Sequence, residues 1–162
     1  NNIVGFPQET RELAFDTIEL NREIRSDGCS VTTFVPFHGT PLRTLSETLG
    51  YVSPGSVAQS IFNPTMLNMP HWTPDKITGF TRCFVLYVSL PKSMWPEIKK
   101  AEELTPQGDE VWNKLRQYAL DNELVWRDKK SETDHDALPD VGPTSDGKAI
   151  PLSKRFTEHG VH

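Results

Sequence analysis

Ile3-Val4-Gly5-Phe6 is a short apolar run closed by Pro7, too short for a helix and bounded as a buried strand is. Behind Gln8-Glu9-Thr10, the apolar residues Leu13, Ala14, Ile18, Leu20 and Ile24 fall on one broad helical face. Arg11, Glu12, Asp16, Glu19, Arg22 and Glu23 fill most of the remainder. Ser26-Asp27-Gly28 reads as the stop signal, with glycine in the cap region. Val31-Thr32-Thr33-Phe34-Val35, following Cys29, is rich in β-branched and aromatic residues and closes at Pro36. The opening therefore reads strand, helix, strand. Two short apolar strands joined by a helix favour a parallel pair with a right-handed crossover.

Beyond this point the pattern turns helical. Thr40-Pro41, Ser53-Pro54, Thr73-Pro74 and Thr105-Pro106 each place a capping hydroxyl before a proline suited to the first helical position. Ile77, Phe80, Phe84 and Tyr87 share one face of a helix that is apolar almost all round by Leu86 to Leu90, the expected centre of this half. Met94, Ile98 and Ala101 predict a shorter helix, and Val111, Leu115, Tyr118 and Ala119 another from about Asp109 to Leu124. From Arg127 to Ala149 the chain is almost wholly polar and reads as a linker or surface strap. Three regions follow: residues 1–42 as strand-helix-strand, 43–126 as a helical region, and 127–162 as a polar linker and tail.

Composition narrows the function. A chain of 162 residues buries roughly 70% of its unfolded surface without a disulfide or metal staple. Mean hydropathy is −0.49, and no apolar run approaches the ~18–20 residues of a spanning helix, so no membrane span is expected. Lys and Arg total 17 against 22 Asp and Glu, a net charge of −5 that disfavours nucleic acid as a partner. The two cysteines, Cys29 and Cys83, make neither a CxxC site nor a disulfide framework, and reduced thiols in a cytoplasmic protein are the expected reading. The first residue is Asn1, and the run after it reads as the middle of a strand, so the chain is expected to be part of a longer polypeptide.

Two loops carry the candidate chemistry. Gly5-Phe6-Pro7-Gln8-Glu9-Thr10 joins the first strand to its helix, where Gly5 permits close backbone approach and Pro7 stiffens the turn. Val35-Pro36-Phe37-His38-Gly39-Thr40-Pro41-Leu42 leaves the second strand. In a parallel pair His38 and Glu9 open on one rim, where ligands collect in α/β structures. There His38 could contact a cofactor or serve as a base; fixing the turn is its plainer role. His71 is expected to pack or cap, and Asp134-His135-Asp136 to be solvated. No HExxH, CxxC or GxSxG motif supports zinc or serine-hydrolase chemistry.

Taken together, the two loops resemble a known family. Ile-Val-Gly-Phe-Pro-Gln-Glu-Thr at residues 3–10 resembles the Gly-Leu-Pro-Gly-Glu-Thr stretch after the fifth barrel strand of radical S-adenosylmethionine enzymes. Thr33-Phe34-Val35-Pro36-Phe37-His38-Gly39-Thr40-Pro41-Leu42 resembles the Pro-x-Pro-Gly-Thr-Pro-Leu stretch after the sixth, one helix further on. Both are most similar to the group with an amino-terminal cobalamin-binding domain. The resemblance extends more loosely through Gly50-Tyr51, Phe80-Thr81-Arg82-Cys83-Phe84 and Tyr87 to about residue 125.

The resemblance implies an α/β fold: the last strands of a partial TIM-like (β/α)6 barrel, followed by a mainly α-helical C-terminal region. It implies S-adenosylmethionine and a four-iron four-sulfur cluster as cofactors, with cobalamin in the members most similar to this chain. It also implies radical chemistry on a small-molecule substrate. By position, Ile3 and Gly5 match the motif that packs on the adenine, Glu9 its closing acidic residue, and Val35, Pro36, Phe37 and His38 the segment lying along the adenine. Gln8 stands where glycine is usual, and His38 where proline is common. The cluster motif CxxxCxxC is absent, so the cluster ligands and the cobalamin domain are expected in a missing N-terminal part of the same polypeptide. That part would cover an otherwise unpaired edge at residues 3–6. The competing class is a stand-alone helical interaction module without catalytic activity, in which the two strand-like segments are incidental.

Overall fold

β1 (Asn2–Val4) and β2 (Val31–Thr33) form a parallel pair in the computed structural model, which describes residues 1–25 and 28–124. Asn2 lies beside Val31, Ile3 beside Thr32 and Val4 beside Thr33. The crossover is α1 (Arg11–Ile24), started by Thr10, whose hydroxyl oxygen accepts the Leu13 N–H. The helix stops at Arg25, which takes the left-handed conformation at φ 51° and donates its N–H to the Asn21 carbonyl. Gly28 is therefore not the cap. The polar segment at 127–162 and Trp126 lie outside the described residues.

The buried face of α1 is narrower than its apolar pattern predicts. Ala14 and Ile18 are buried, whereas Leu13, Leu20 and Ile24 are 53%, 54% and 62% exposed. At about 100° per residue, these three lie across the helix from Arg11, Phe15 and Arg22, which meet α3 and the residues after it. Packing on one side only leaves the other side bare.

α3 (Pro74–Ser89) is the centre of the core, with Ile77, Phe80, Cys83, Phe84, Leu86 and Tyr87 buried as the spacing predicts. Phe80 meets Phe15 and Trp72 edge-on, each at 5.4 Å between ring centroids, and Tyr87 meets Trp95 at the same separation. Against α3 stand α1, α4 (Trp95–Ala101, entered through a 3₁₀ turn at Lys92–Met94) and α5 (Pro106–Asp121), while α2 (Pro41–Thr48) adds no residue to the core cluster. Three of the four expected threonine- or serine-proline starts open helices. The fourth, Ser53-Pro54, makes a turn closed by the Ser56 N–H on the Ser53 carbonyl, with Gly55 at φ 83°. Pro54-Gly55-Ser56 has no apolar face to bury, so the proline serves the turn.

Residues 48–74 carry no Asp, Glu, Lys or Arg, and this run is fastened to β2 where the Thr33 hydroxyl donates to the Asn63 carbonyl at 3.1 Å. The outer side of β1 has no strand beside it among the described residues. No described helix is long and apolar enough to cross a membrane.

Two glycines inside helices set how closely α3, α4 and α5 approach. A Cβ on Gly79 would fall on the Glu102 carbonyl, and one on Gly108 on the Glu103 carbonyl. Alanine is the better helix former by about 1 kcal/mol. Gly79→Ala is nonetheless expected to lower stability by about 2 kcal/mol, because backbone must move to admit one methyl group. Urea unfolding checks this; a neutral or stabilising effect would mean that α3 and the end of α4 are not locked by that approach.

Candidate functional site at the carboxyl ends of the strands

The loop after β1 is built around one carboxylate. Glu9 Oε2 accepts the Gly5 N–H at 2.5 Å and the Phe6 N–H at 3.1 Å, while the Glu9 N–H donates to the Phe6 carbonyl at 3.0 Å. Burial raises the Glu9 pKa above its ordinary value, and the two amides pull against that rise. A carboxylate so engaged holds a loop; it is not a free base. Gly5 sits at φ 85°, and Gln8 at φ 72°. Gln8 thus occupies a left-handed turn position that glycine takes at little cost, which explains why glycine is usual in the motif it resembles.

The loop after β2 buries Phe34, Val35 and Pro36 and exposes Phe37, His38 and Gly39. Gly39 makes the turn at φ 79°, and the Thr40 hydroxyl donates to the Phe37 carbonyl at 2.8 Å while accepting the Arg43 N–H. Arg43, only 3% exposed, pins the loop from below. Its guanidinium donates to the Pro36 carbonyl and the Ser53 carbonyl, each at 3.3 Å, and pairs with Glu47 at 2.5 Å.

The two loops meet. The Phe34 N–H donates to the Val4 carbonyl at 2.7 Å, and the Phe6 and Phe34 rings lie 5.0 Å apart. Ile3, Gly5, Glu9, Val35, Pro36, Phe37 and His38 therefore gather on and just past the carboxyl ends of one parallel pair. Their surfaces differ: Ile3 is 48% exposed, Val35 and Pro36 are buried, and Phe37 and His38 are exposed. His38 has no hydrogen-bond partner among the described residues. The result is a ledge of backbone, apolar side chain and one imidazole.

His71 also belongs here, contrary to the packing or capping role its sequence position suggests. Its Nε2 donates to the Glu9 carbonyl at 3.0 Å, tying the start of α3 to the first loop. No local pattern announces a bond across 62 positions. A cavity of about 290 Å³ opens beside it, walled by Thr10, Arg11, His71, Trp72, Lys76 and Lys99. Arg11 and Lys99 are both committed to Glu102, so this pocket offers less positive charge than its composition suggests.

Neither thiol fits a metal cluster. Cys29 stands at the amino end of β2, against Asn2 and Asn21, and burial raises its pKa. Cys83 is buried inside α3, and burial, then the Glu102 charge, push its thiol up to about 12. Among the described residues no three His, Cys, Asp or Glu side chains stand together as metal ligands would. An iron-sulfur cluster held by three thiolates does not fit these residues.

No protein-family model matches the chain, and neither a curated protein nor a solved structure matches it. The site therefore rests on its own geometry and on the two motifs.

Three outcomes check that geometry. Glu9→Ala is expected to cost about 2 kcal/mol, since two buried amides lose their acceptor, and Glu9→Gln, which keeps an acceptor oxygen, less than half of that. Gln8→Gly is expected to stabilise by up to about 1 kcal/mol by relieving the left-handed side chain. Denaturant titration of the three variants reads both. In native alkylation followed by mass spectrometry, Cys29 is expected to react before Cys83, which reacts only on unfolding.

Proposed function

We propose that this chain is the C-terminal part of a radical S-adenosylmethionine enzyme, contributing the last two strands of a partial barrel and the helical region behind them. One observation carries the reading. The two segments that resemble the family's post-strand motifs leave a parallel pair at the same end and pack against each other.

In this role the ledge binds one edge of S-adenosylmethionine. Ile3 offers an exposed apolar side chain to a flat ring, Gly5 keeps the backbone bare of a Cβ, and the Val35–His38 stretch offers main chain backed by buried Val35 and Pro36. Glu9 fixes the shape of the first loop and Arg43 that of the second. His38 is the one imidazole of the ledge free to meet a ligand. The cluster that reduces S-adenosylmethionine and yields the deoxyadenosyl radical has no ligands in this chain, so that step is assigned to none of its residues. Cobalamin, where used, and substrate selection belong to other parts of the polypeptide.

The test has two arms. Reconstituted anaerobically with iron and sulfide, the 162-residue chain is expected to hold no stable cluster and to form no 5′-deoxyadenosine. The reading frame encoding it is expected to encode a CxxxCxxC motif upstream, and the polypeptide carrying both is expected to cleave S-adenosylmethionine. In that polypeptide His38→Ala should weaken S-adenosylmethionine binding by about tenfold while leaving the melting temperature unchanged, because His38 is exposed and makes no internal bond. Cluster assembly on the short chain, or no cleavage by the longer one, overturns the proposal.

A further inference from the structure

Two cavities share the walls Lys76 and Lys99, where α1 and α3 begin and α4 ends. In the larger, about 510 Å³, Lys76, Lys99 and Lys100 stand against Asp75, Glu102 and Glu103, so cations and carboxylates balance. The smaller, the 290 Å³ cavity beside His71, does not balance. Arg11, Lys76 and Lys99 wall it, and Glu12 is the one carboxylate among its described walls. Behind them, Arg11 and Lys99 share the single charge of Glu102. Three cations therefore meet two carboxylates, and Glu12 is exposed to water that screens it.

Donors are left over as well as charge. Lys76 makes no ion pair or hydrogen bond among the described residues. Arg11 spends Nη1 and Nη2 on Glu102 and Tyr87 and leaves its Nε–H unbonded. The Lys99 ammonium spends one donor on Glu102. Trp72 is only 2% exposed, and its indole N–H, shut off from bulk water, has no acceptor among the described residues. A buried donor without an acceptor is destabilising, and native structures keep few of them. This one belongs to a residue in the cavity wall.

We propose that the smaller cavity binds a small organic oxyanion, whose carboxylate or phosphate group is held by Lys76, Lys99 and Arg11 and accepts the orphaned N–H of Trp72. The surplus groups select this class. All are donors, so the occupant is an acceptor; the surplus charge is positive, so the occupant is an anion. A halide offers one atom to donors that come from three segments, whereas the several oxygens of an oxyanion reach more than one. The volume is that of roughly ten waters, more than a bare phosphate fills, which leaves room for a few carbons beside the Trp72 ring. His71 ties this wall to the Glu9 carbonyl, so the occupant lies against the first loop of the ledge. The inference stands on this cavity alone and does not need the cofactor reading.

The test titrates the 162-residue chain with sodium phosphate and, separately, with sodium acetate, against sodium chloride at matched ionic strength. Proton–nitrogen correlation spectra read the result. The Trp72 indole signal is identified by its loss in Trp72→Phe or, if that variant does not fold, by its contacts with the Phe80 ring. This signal and the Lys76 amide are expected to shift to saturation with phosphate or acetate, and not with chloride. Saturation by phosphate alone supports a phosphate ester as occupant, and saturation by acetate alone a carboxylic acid. Lys76→Gln, at an exposed position, is expected to weaken binding about tenfold, and Lys114→Gln, on the exposed side of α5, to leave it unchanged. A Trp72 indole that stays still while the Lys76 amide saturates overturns the role given to the N–H. An equal response to chloride, or undiminished binding by Lys76→Gln, would mean an adventitious ion only and overturns the site. So does the absence of saturation with both anions in a chain whose spectrum is dispersed.

Discussion

The Glu102 carboxylate, almost wholly buried, takes both terminal nitrogens of Arg11 at 2.8 and 2.6 Å and the Tyr87 hydroxyl at 2.6 Å, with Lys99 closing from outside at 2.7 Å. Arg11 belongs to α1, Tyr87 to α3, and Lys99 to α4, so one charge holds three helices in register. Burying a carboxylate costs several kcal/mol unless every oxygen is engaged, and here both are. The Arg11 guanidinium in turn lies over the rings of Phe15 and Phe80, at 4.9 and 5.2 Å from their centroids. Burial, then Glu102 itself, keeps the Tyr87 hydroxyl protonated well beyond its ordinary range, so the donor persists across the whole neutral region. The backbone of the same residue rests on Gly79, which makes Glu102 the point where side-chain charge and main-chain approach coincide.

Arginine also finishes the helix ends. Arg22 Nη1 reaches the carbonyls of Tyr87, Val88 and Leu90, each at 2.8 Å, collecting acceptors that α3 leaves behind at its C-terminus. Arg82 does the same across the α4–α5 junction, on Ala101 and Glu103, and pairs with Asp109 in the first turn of α5. These bonds join segments far apart in sequence without large apolar surfaces. That is how a chain with only 36% hydrophobic residues and, among the described residues, a sheet of two strands brings α1, α3, α4 and α5 onto one core.

Much of this was legible from spacing. The strand-helix-strand opening, the α3 core face and three of the Thr-Pro starts follow from periodicity and proline chemistry, which act locally. What periodicity could not convey was which side of α1 finds a partner. Leu13, Leu20 and Ile24 look like core in any helical projection, and only the placement of α3 leaves them bare. The helix stop at Arg25 escaped for a related reason: the backbone turns left-handed before Gly28 is reached, on a residue that composition gives no cause to suspect. The rim was readable because its loops carry their shape in their own residues, Gly5 and Glu9 in one, Gly39 and Thr40 in the other. His71 and Arg43 were not, since their roles depend on tertiary neighbours.

The double grip of Arg43 on Pro36 and Ser53 has a consequence for how such a chain can diverge. The carbonyls it joins are 17 positions apart, and α2 with the turn behind it lies between them. Insertions or deletions inside that span would pull the two carbonyls out of reach of a single guanidinium, whereas changes of length after Ser53 leave the grip intact. Only the exposed stretch of the uncharged run at residues 57–62 is thereby released from the geometry of the ledge, because Leu67, Met69 and Trp72 are core and His71 holds the first loop. That stretch can lengthen, shorten or change sequence while the wall next to Phe37 and His38 keeps its form.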